Sequence, residues 1–580
     1  MQHDKDINKN SELENIIKNS EKITSSLSDV MKHFNLKSHF QIFDFLKCKG
    51  IAISSLLSIL MILPFYGVAN IYQLVKCGIK KDDIEGKKTT FYDTLNNENI
   101  NWRKLLMLHV KRFIYLINNN INLKSTKTTA IIFDDTIITK TGKKIEKVSY
   151  VHDHVSHRYI LGYKLLVCGF WDGESFVPID FSLHRERGKR DKKVKKEFFK
   201  IKKKLHKQEL ELSKLNSQID KNNARLEVFQ QKNAVKTNKI NTLKINNLSE
   251  KIISKQKQKE DLQKSIATTK TQKTSAYKRF KREYLTGKLY GLTPKERKEQ
   301  FKKAVSTKSH GFTRRKEANK GKIDCMLGML SRAVKAGIVP NYVLVDSWFF
   351  CYELLEKLQL LKKGAIKLIA MVRIHNQKYT ICQTDKELPV KVIINNHYRS
   401  ARKCKKFNAQ YFCVKSWYKG IRINLFFVKM GRCNKWHLLA TTNLSLSFVN
   451  LMEIYQIRWS IEVFFKESKQ FLGLSNCSSN TFDAQIAHLT IVMMQHIMLS
   501  FYKRINYQQS IGGLFQAISH EMVELDLVTR LLNMFIEIMK IICTCKGIDF
   551  IEFQADMIKN EEIQLKIQKM LPDKVLQKTE

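Results

Sequence analysis

Between Gly188 and Gly287 the chain holds neither glycine nor proline. A run of that length without a backbone breaker is helical over most of its course. It also repeats. Leu205, Leu212, Ile219 and Leu226 recur at seven-residue spacing, with Leu215 and Phe229 at the companion position, and after a register shift come Ile245, Leu248, Ile252, Leu262 and Ile266. Heptad spacing lays an apolar seam along one side of a helix. The two runs are similar in length and separated by the polar KNAVKTNK, so an antiparallel helical hairpin is expected. A straight coiled coil pairing two subunits is the competing arrangement. The stretch opens with KRDKKVKKEFFKIKKKLHK, eleven Lys or Arg against two acids. It reads as an insertion that clamps DNA, serves dimerisation, or is a charged spacer.

Charge narrows the partner. Lys and Arg number 102 against 54 Asp and Glu, a formal net charge of +48, which puts a polyanion such as nucleic acid ahead of a small molecule. The twelve cysteines include no CxxC pair, so neither a zinc site nor a disulfide framework is supported. The polar opening MQHDKDINKNSELENIIKNS lacks the apolar run of an export signal, and a cytoplasmic protein is expected. Ile51 to Val68 is about long enough to span a bilayer. Ser54, Ser55, Ser58 and Pro64 interrupt it, which favours a buried helix of an N-terminal bundle and no membrane partner.

Residues 1 to about 120 read as helical. Short helices broken by Gly78 and Gly86 and carrying Lys80, Lys81, Lys87 and Lys88 suit a DNA-binding domain, with a helical cap on a catalytic domain as the alternative. From Thr128 the period changes. TTAIIFDD, KVSYV, YKLLVCGFW and FVPIDFSLH form a meander of strands. Beyond the long helical stretch, KSHGFTRRKEANKGKIDCMLGMLSRAVKAGIVP gives a basic loop and an amphipathic helix. NYVLVDSWFF is a buried strand with its acid at the carboxyl end, YELLEKLQL a helix, and GAIKLIAMVR the next core strand. KVIINN, QYFCVKSW, RINLFFVKM and WHLLATT look like further strands, and the chain from Phe471 onward is helical.

The chemistry gathers in YQIRWSIEVFFKESK, Tyr455 to Lys469. On a helix, Tyr455, Glu462 and Lys469 are seven apart and Arg458 lies one turn before Glu462, so four polar groups share a stripe. Ile457, Ile461, Phe464 and Phe465 fall elsewhere and can pack the helix on a core. A carboxylate set among a guanidinium, a phenol and an ammonium suits an acid that holds a divalent cation while its neighbours grip phosphate. An ordinary salt-bridged surface helix would have no use for the tyrosine or for the repeat of seven.

The spacing Tyr-x2-Arg-x3-Glu-x6-Lys, with Trp459 after the arginine, resembles the signature of bacterial insertion-sequence transposases that carry a DDE active site on an RNase H-like fold. TTAIIFDDT looks like that family's first strand, ending in Asp-x-Thr, and NYVLVDSWF like its fourth strand, ending in the second acid. The resemblance covers roughly residues 90 to 185 and 310 to 500. It implies an α/β protein: an RNase H-like catalytic core (a mixed sheet flanked by helices), with a helical N-terminal domain, a long helical or coiled-coil insertion and a β-rich insertion. The expected boundaries are 1–120 for the N-terminal domain, 121–187, 311–374 and 446–500 for the core, 188–310 and 375–445 for the two insertions, and 501–580 for a C-terminal helical subdomain.

The resemblance further implies that Asp134, Asp346 and Glu462 are both the catalytic acids and the ligands of two Mg²⁺ ions, with Mn²⁺ able to substitute. Asp134 and Asp135 are neighbours pointing to opposite faces, so only one is the ligand. The Asp-x-Thr pattern favours Asp134, and Asp135 stays open. Tyr455, Arg458 and Lys469 are expected to contact DNA, as are Lys140 and Lys143 (with Lys144) in the loop after the first acid. Trp459 either stacks on a displaced base or is a core indole. His152, Asp153, His154 and His157 lack zinc spacing and read as loop polars. The expected activity is transposition on double-stranded DNA, at the element's inverted-repeat ends and at a target, by a homodimer in a synaptic complex on the nucleoid. Cut-and-paste transfer through a DNA-hairpin intermediate is implied. The rival readings are a non-catalytic basic scaffold protein and an RNase H-like nuclease without strand joining.

Overall fold

The computed structural model describes residues 26–47, 49–68, 70–76, 87–120, 123, 125, 127–186, 192–235, 239–285, 289–375, 377–381, 386–431, 433, 435–505, 510–553, 560 and 562. The stretch with Cys77, Gly78, Lys80, Lys81 and Gly86 lies outside them, as does most of the chain after Phe553. Two compact units are formed, one from 1–147, 162–184 and 301–580, the other from 148–161 and 185–300.

The strands, in chain order, are β1 (Ala130–Thr139), β2 (Ser149–His152), β3 (Tyr159–Trp171), β4 (Phe176–His184), β5 (Tyr342–Val345), β6 (Lys367–Val372), β7 (Lys378–Ile381), β8 (Glu387–Pro389), β9 (Arg402–Cys404), β10 (Ala409–Tyr418), β11 (Ile421–Met430) and β12 (His437–Thr441). In the first unit they run β3-β1-β5-β6-β12-β11-β10-β7-β8, with β4 on β3 and β9 on β10. The core is mixed: β1, β5 and β6 are parallel, while β3 and β12 join antiparallel on either side. AIIF of β1 and YVLV of β5 are buried throughout, as strands covered on both faces must be. Gly162 sits where a Cβ would run into the backbone of Ile138, so the close approach of β3 to β1 requires glycine there.

The β-rich stretch expected as an insertion extends this same sheet, because Leu438 to Thr441 of β12 pair antiparallel with Val372 to Ile369 of β6. One expected strand is a helix. KVIINN belongs to Val390–His397, which follows Pro389 and buries Val390 and Ile393, so the period of three to four overrides β-branching.

The described N-terminal helices cover the core. Trp102–Asn118 buries Trp102, Leu105, Leu106, Val110 and Phe113, and His109 Nε2 meets the Met494 carbonyl at 3.1 Å inside Phe482–Ile505. The apolar run from Ile51 becomes a ten-residue helix, Ile53–Ile62, which Leu63–Tyr66 closes as a 3₁₀ turn containing Pro64. Gln495 Nε2 donates to the carbonyls of Leu60 and Met61 at 3.3 and 2.9 Å, satisfying groups that the break leaves open. That helix is buried and too short to span a bilayer. Among the described residues Phe482–Ile505 is long and apolar enough to cross a membrane, yet its most apolar window is 94% buried inside the protein. It also runs through the boundary expected at residue 500, and Ile511–Lys546 follows it.

In the second unit, Lys192–Val235 and Lys239–Arg279 lie antiparallel. Arg279 pairs with Glu197 at 3.2 Å, Gln208 donates to Ser265 Oγ at 2.8 Å and Lys255 to Gln218 at 2.9 Å, so partners climb one helix as they descend the other. Leu205, Ile219, Ile252 and Ile266 of the heptad seam are buried. At the end away from the turn, Val194, Phe198 and Phe280 close a small core, with Phe198 and Phe280 stacked at 4.9 Å. The expected insertion ran to residue 310, whereas residues from Phe301 belong to the first unit.

Candidate active site

Register fixes the first two acids. Phe133 of β1 pairs with Val345 of β5 as the last step of a parallel ladder, so Asp346 stands just past the carboxyl end of β5 and Asp134 beside it, where β1 runs on beyond its neighbour. Ligands of open α/β sheets meet the protein at such ends. The Asp346 carboxylate accepts from the Trp348 amide at 2.8 Å. Asp134 accepts from its neighbour's amide, also at 2.8 Å. Asp135 turns elsewhere and is held by Lys322 at 3.1 Å and Lys164 at 3.8 Å.

The third acid arrives on a helical segment laid beside these ends. It is built of Phe448–Gln456, a 3₁₀ turn at Ile457–Trp459, and Ser460–Gln470, so the expected single helix tightens around Arg458. Ile461, Phe464 and Phe465 are buried, and Phe464 packs 5.4 Å from Phe176 of β4. The polar stripe tracks the strands. Tyr455 donates to the Val345 carbonyl at 3.4 Å, Arg458 Nη1 reaches Asp134 at 3.1 Å while Nη2 reaches Glu462 at 2.6 Å, and Lys469 donates to Thr136 Oγ1 at 2.7 Å. Arg458 thus links Asp134 to Glu462, with Tyr455 against the residue before Asp346 and Lys469 with Thr136 further along the stripe.

Electrostatics mark it as unsettled. Burial, followed by the nearby Asp346 charge, pushes the Asp134 carboxyl up to about 7, and burial also raises Asp346. Burial pushes the Tyr455 phenol up to about 12. Burial works against the Arg458 cation too, but Tyr455, Glu462 and Asp134 outweigh it and hold the guanidinium charged.

Among the described residues no three His, Cys, Asp or Glu side chains are gathered closely enough to hold an ion as they stand. Between Asp134 and Glu462 the positive charge is the Arg458 guanidinium. The donors at this point are carboxylate oxygens of Asp134 and Glu462, the set that hard divalent cations take. The residues fit such a cation.

A pH-dependent stability follows. The folded-state pKa of Asp134 lies above its ordinary 3.8, so the folded protein binds this proton more tightly than the unfolded chain does, and stability falls as pH rises from about 4 through about 7. In chelator-treated protein, Asp134→Asn is expected to raise stability by about 1–3 kcal/mol at pH 8 and to leave it unchanged at pH 4. Melting curves at the two pH values check this; an equal change at both would remove the cause assigned here.

Other sequence-derived site residues land differently. Lys140 is a tether, its ammonium held by the Ser475 and Cys477 carbonyls at 3.0 and 2.8 Å and its pKa lowered by burial, so it is not presented to a ligand. Lys143 and Lys144 are exposed. Trp459 is 61% exposed, which removes the core-indole alternative. It borders a cleft of about 570 Å³ with Trp171, Phe176 and Val463, and none of the three acids lines that cleft. In the second unit, Asp153 caps the Val155 and Ser156 amides, and His152 and His154 stack edge to face at 4.8 Å.

Two residues went unread in sequence. Trp348, 55% exposed, follows Asp346 by two, and the Arg373 guanidinium lies 3.6 Å from the centre of its ring. Arg373 stands just past β6, as Asp346 stands just past β5, and that position was the available signal.

Residues 304–498 match the family model for the transposase DDE domain. The chain carries a DDE transposase domain. No curated protein matches it. The matched stretch holds Asp346 and Glu462 and begins after the helical hairpin, while Asp134 lies upstream of that hairpin on the strand that pairs with β5. The sheet that contains the matched strand β5 is therefore assembled from two separated stretches of sequence.

Proposed function

We propose that the protein is an insertion-sequence transposase of the Tyr-x2-Arg-x3-Glu-x6-Lys group. It binds the inverted-repeat ends of its element as a dimer, cleaves the DNA and joins the freed ends to a target by cut-and-paste. The observation that carries this reading is the in-register placement of Asp134 and Asp346, with Glu462 tied to Asp134 through one guanidinium.

Two Mg²⁺ ions, when bound, supply the charge that activates the attacking oxygen and stabilises the leaving one. The residues that would hold them are Asp134, Asp346 and Glu462. Strand ends and a packed helix give these carboxylates little freedom, which favours an in-line geometry. Arg458 sets a two-pronged donor beside the acids, suited to a DNA phosphate. Tyr455 fixes the helix to the residue before Asp346 and so acts as a positioning residue. Lys469, next to Thr136, adds a second phosphate contact at the other end of the stripe. Exposed Trp459 is suited to stacking on a base.

The test uses the full chain, Mg²⁺ and a duplex carrying the repeats that flank the gene. Cleavage at the repeat ends followed by joining of a 3′-hydroxyl to a second duplex is expected. Cleavage without joining would leave a nuclease; binding with no cleavage in Mg²⁺ or Mn²⁺ would leave the basic scaffold.

A further inference from the structure

The helical hairpin carries its charge at one end. Residues 192–207 and 264–279, which face each other away from the turn, hold fourteen Lys or Arg against the single acid Glu197. The rest of the two helices, 208–235 and 239–263, holds ten against seven. The heptad seam runs through both parts, with Leu205 and Ile266 buried in one and Ile219 and Ile252 in the other, so packing does not call for the difference. Like charges a turn apart destabilise a helix. A surplus kept where folding does not need it suits an anionic partner.

The arrangement is also ordered. Lys193, Lys196, Lys200, Lys203 and Lys207 alternate steps of three and four, which aligns them along one helix face, and all five are exposed. Fourteen residues of helix extend about 21 Å, the reach of several successive phosphates of a duplex. Exposed Lys264, Lys270, Lys278 and Arg279 occupy the partner helix at the same end. The Val194, Phe198 and Phe280 core ties the helices together here, so the ridge is stiff.

We infer that this end of the hairpin is a contact surface for the phosphate backbone of duplex DNA, one that holds DNA without reading its sequence. The inference rests on the proposal above that DNA is the substrate. Ammonium groups in a row neutralise phosphates and carry no base readout.

The experiment compares two full-length variants in binding to a random-sequence duplex by fluorescence anisotropy from 50 to 200 mM salt. One is Lys196→Gln, Lys200→Gln, Lys203→Gln, Lys207→Gln; the other, removing the same charge from the distal part, is Lys221→Gln, Arg225→Gln, Lys251→Gln, Lys257→Gln. The ridge variant is expected to bind about 10–100-fold more weakly and to lose about 3–4 from the slope of log affinity against log salt. The distal variant should stay within about threefold, with its slope kept. Equal slopes in the two variants would overturn the inference. So would a ridge variant that binds DNA normally but sediments as a smaller species, which would make the ridge a contact between copies. Cleavage of repeat-end DNA is followed in parallel: a lost slope without cleavage in the unaltered protein sinks the catalytic reading alone, and cleavage with an unchanged slope sinks the ridge alone.

Discussion

Asp346→Asn and Glu462→Ala are each expected to abolish metal-dependent strand cleavage, by on the order of 10³-fold or more, while duplex binding and folding persist. Asn keeps the shape of Asp346 and its acceptor for the Trp348 amide but removes the charge that a cation requires. Glu462 is about one-third exposed and bonded to Arg458, so its loss costs no more than about 1 kcal/mol of stability and leaves Arg458 paired with Asp134. Asp135→Asn separates the adjacent acids. Its partners are Lys322 and Lys164, so cleavage should fall by less than about tenfold, whereas Asp134→Asn should remove it. Nicking of repeat-end DNA in Mg²⁺ reads all four variants, and an active Asp134→Asn beside an inactive Asp135→Asn would exchange their roles.

The second large effect lies away from the acids. Arg315 is buried and forks to Glu146 at 2.7 and 2.9 Å and to Asp483 at 2.6 and 2.8 Å. Burial opposes its charge, and the two carboxylates more than restore it. Gly311 leaves the room, since a Cβ there would collide with the Asp483 carboxylate. Arg315→Met strands two acids whose remaining partners among the described residues are Lys303, 3.2 Å from Asp483, and the Phe482 amide, 3.0 Å from Glu146. A loss of about 3–5 kcal/mol is expected, a large part of the stability of an ordinary domain. Arg315→Lys keeps the charge without the fork and should lose about half as much. Urea midpoints decide: a loss under about 1 kcal/mol for Arg315→Met would mean that the network adds nothing.

That network shows where sequence reading ends. Local period sufficed for the apolar runs that end in Asp134 and Asp346, for the stripe from Tyr455 to Lys469, and for the heptad seam. Each is set by neighbours a few residues away. Arg314 and Arg315 instead read as a basic loop, because a charged pair looks solvated until its partners are known, and these stand 133 to 169 residues off at Phe181, Asp483 and Glu146. Lys140 was misread for the same reason, with its carbonyl partners 335 and 337 positions away. The pairing of β12 with β6, which joins the β-rich stretch to the core sheet, likewise has no local signature.

β1 and β5 are joined in parallel although Thr129 and Asn341, bonded at their start, are 212 residues apart. At a translation speed of about 5–20 residues per second, the first strand waits on the order of 10–40 s for its partner to leave the ribosome. The helix with Glu462 follows later still. A nascent chain therefore has time to zip the helical pair together from its own local contacts long before Asp134 and Asp346 can meet.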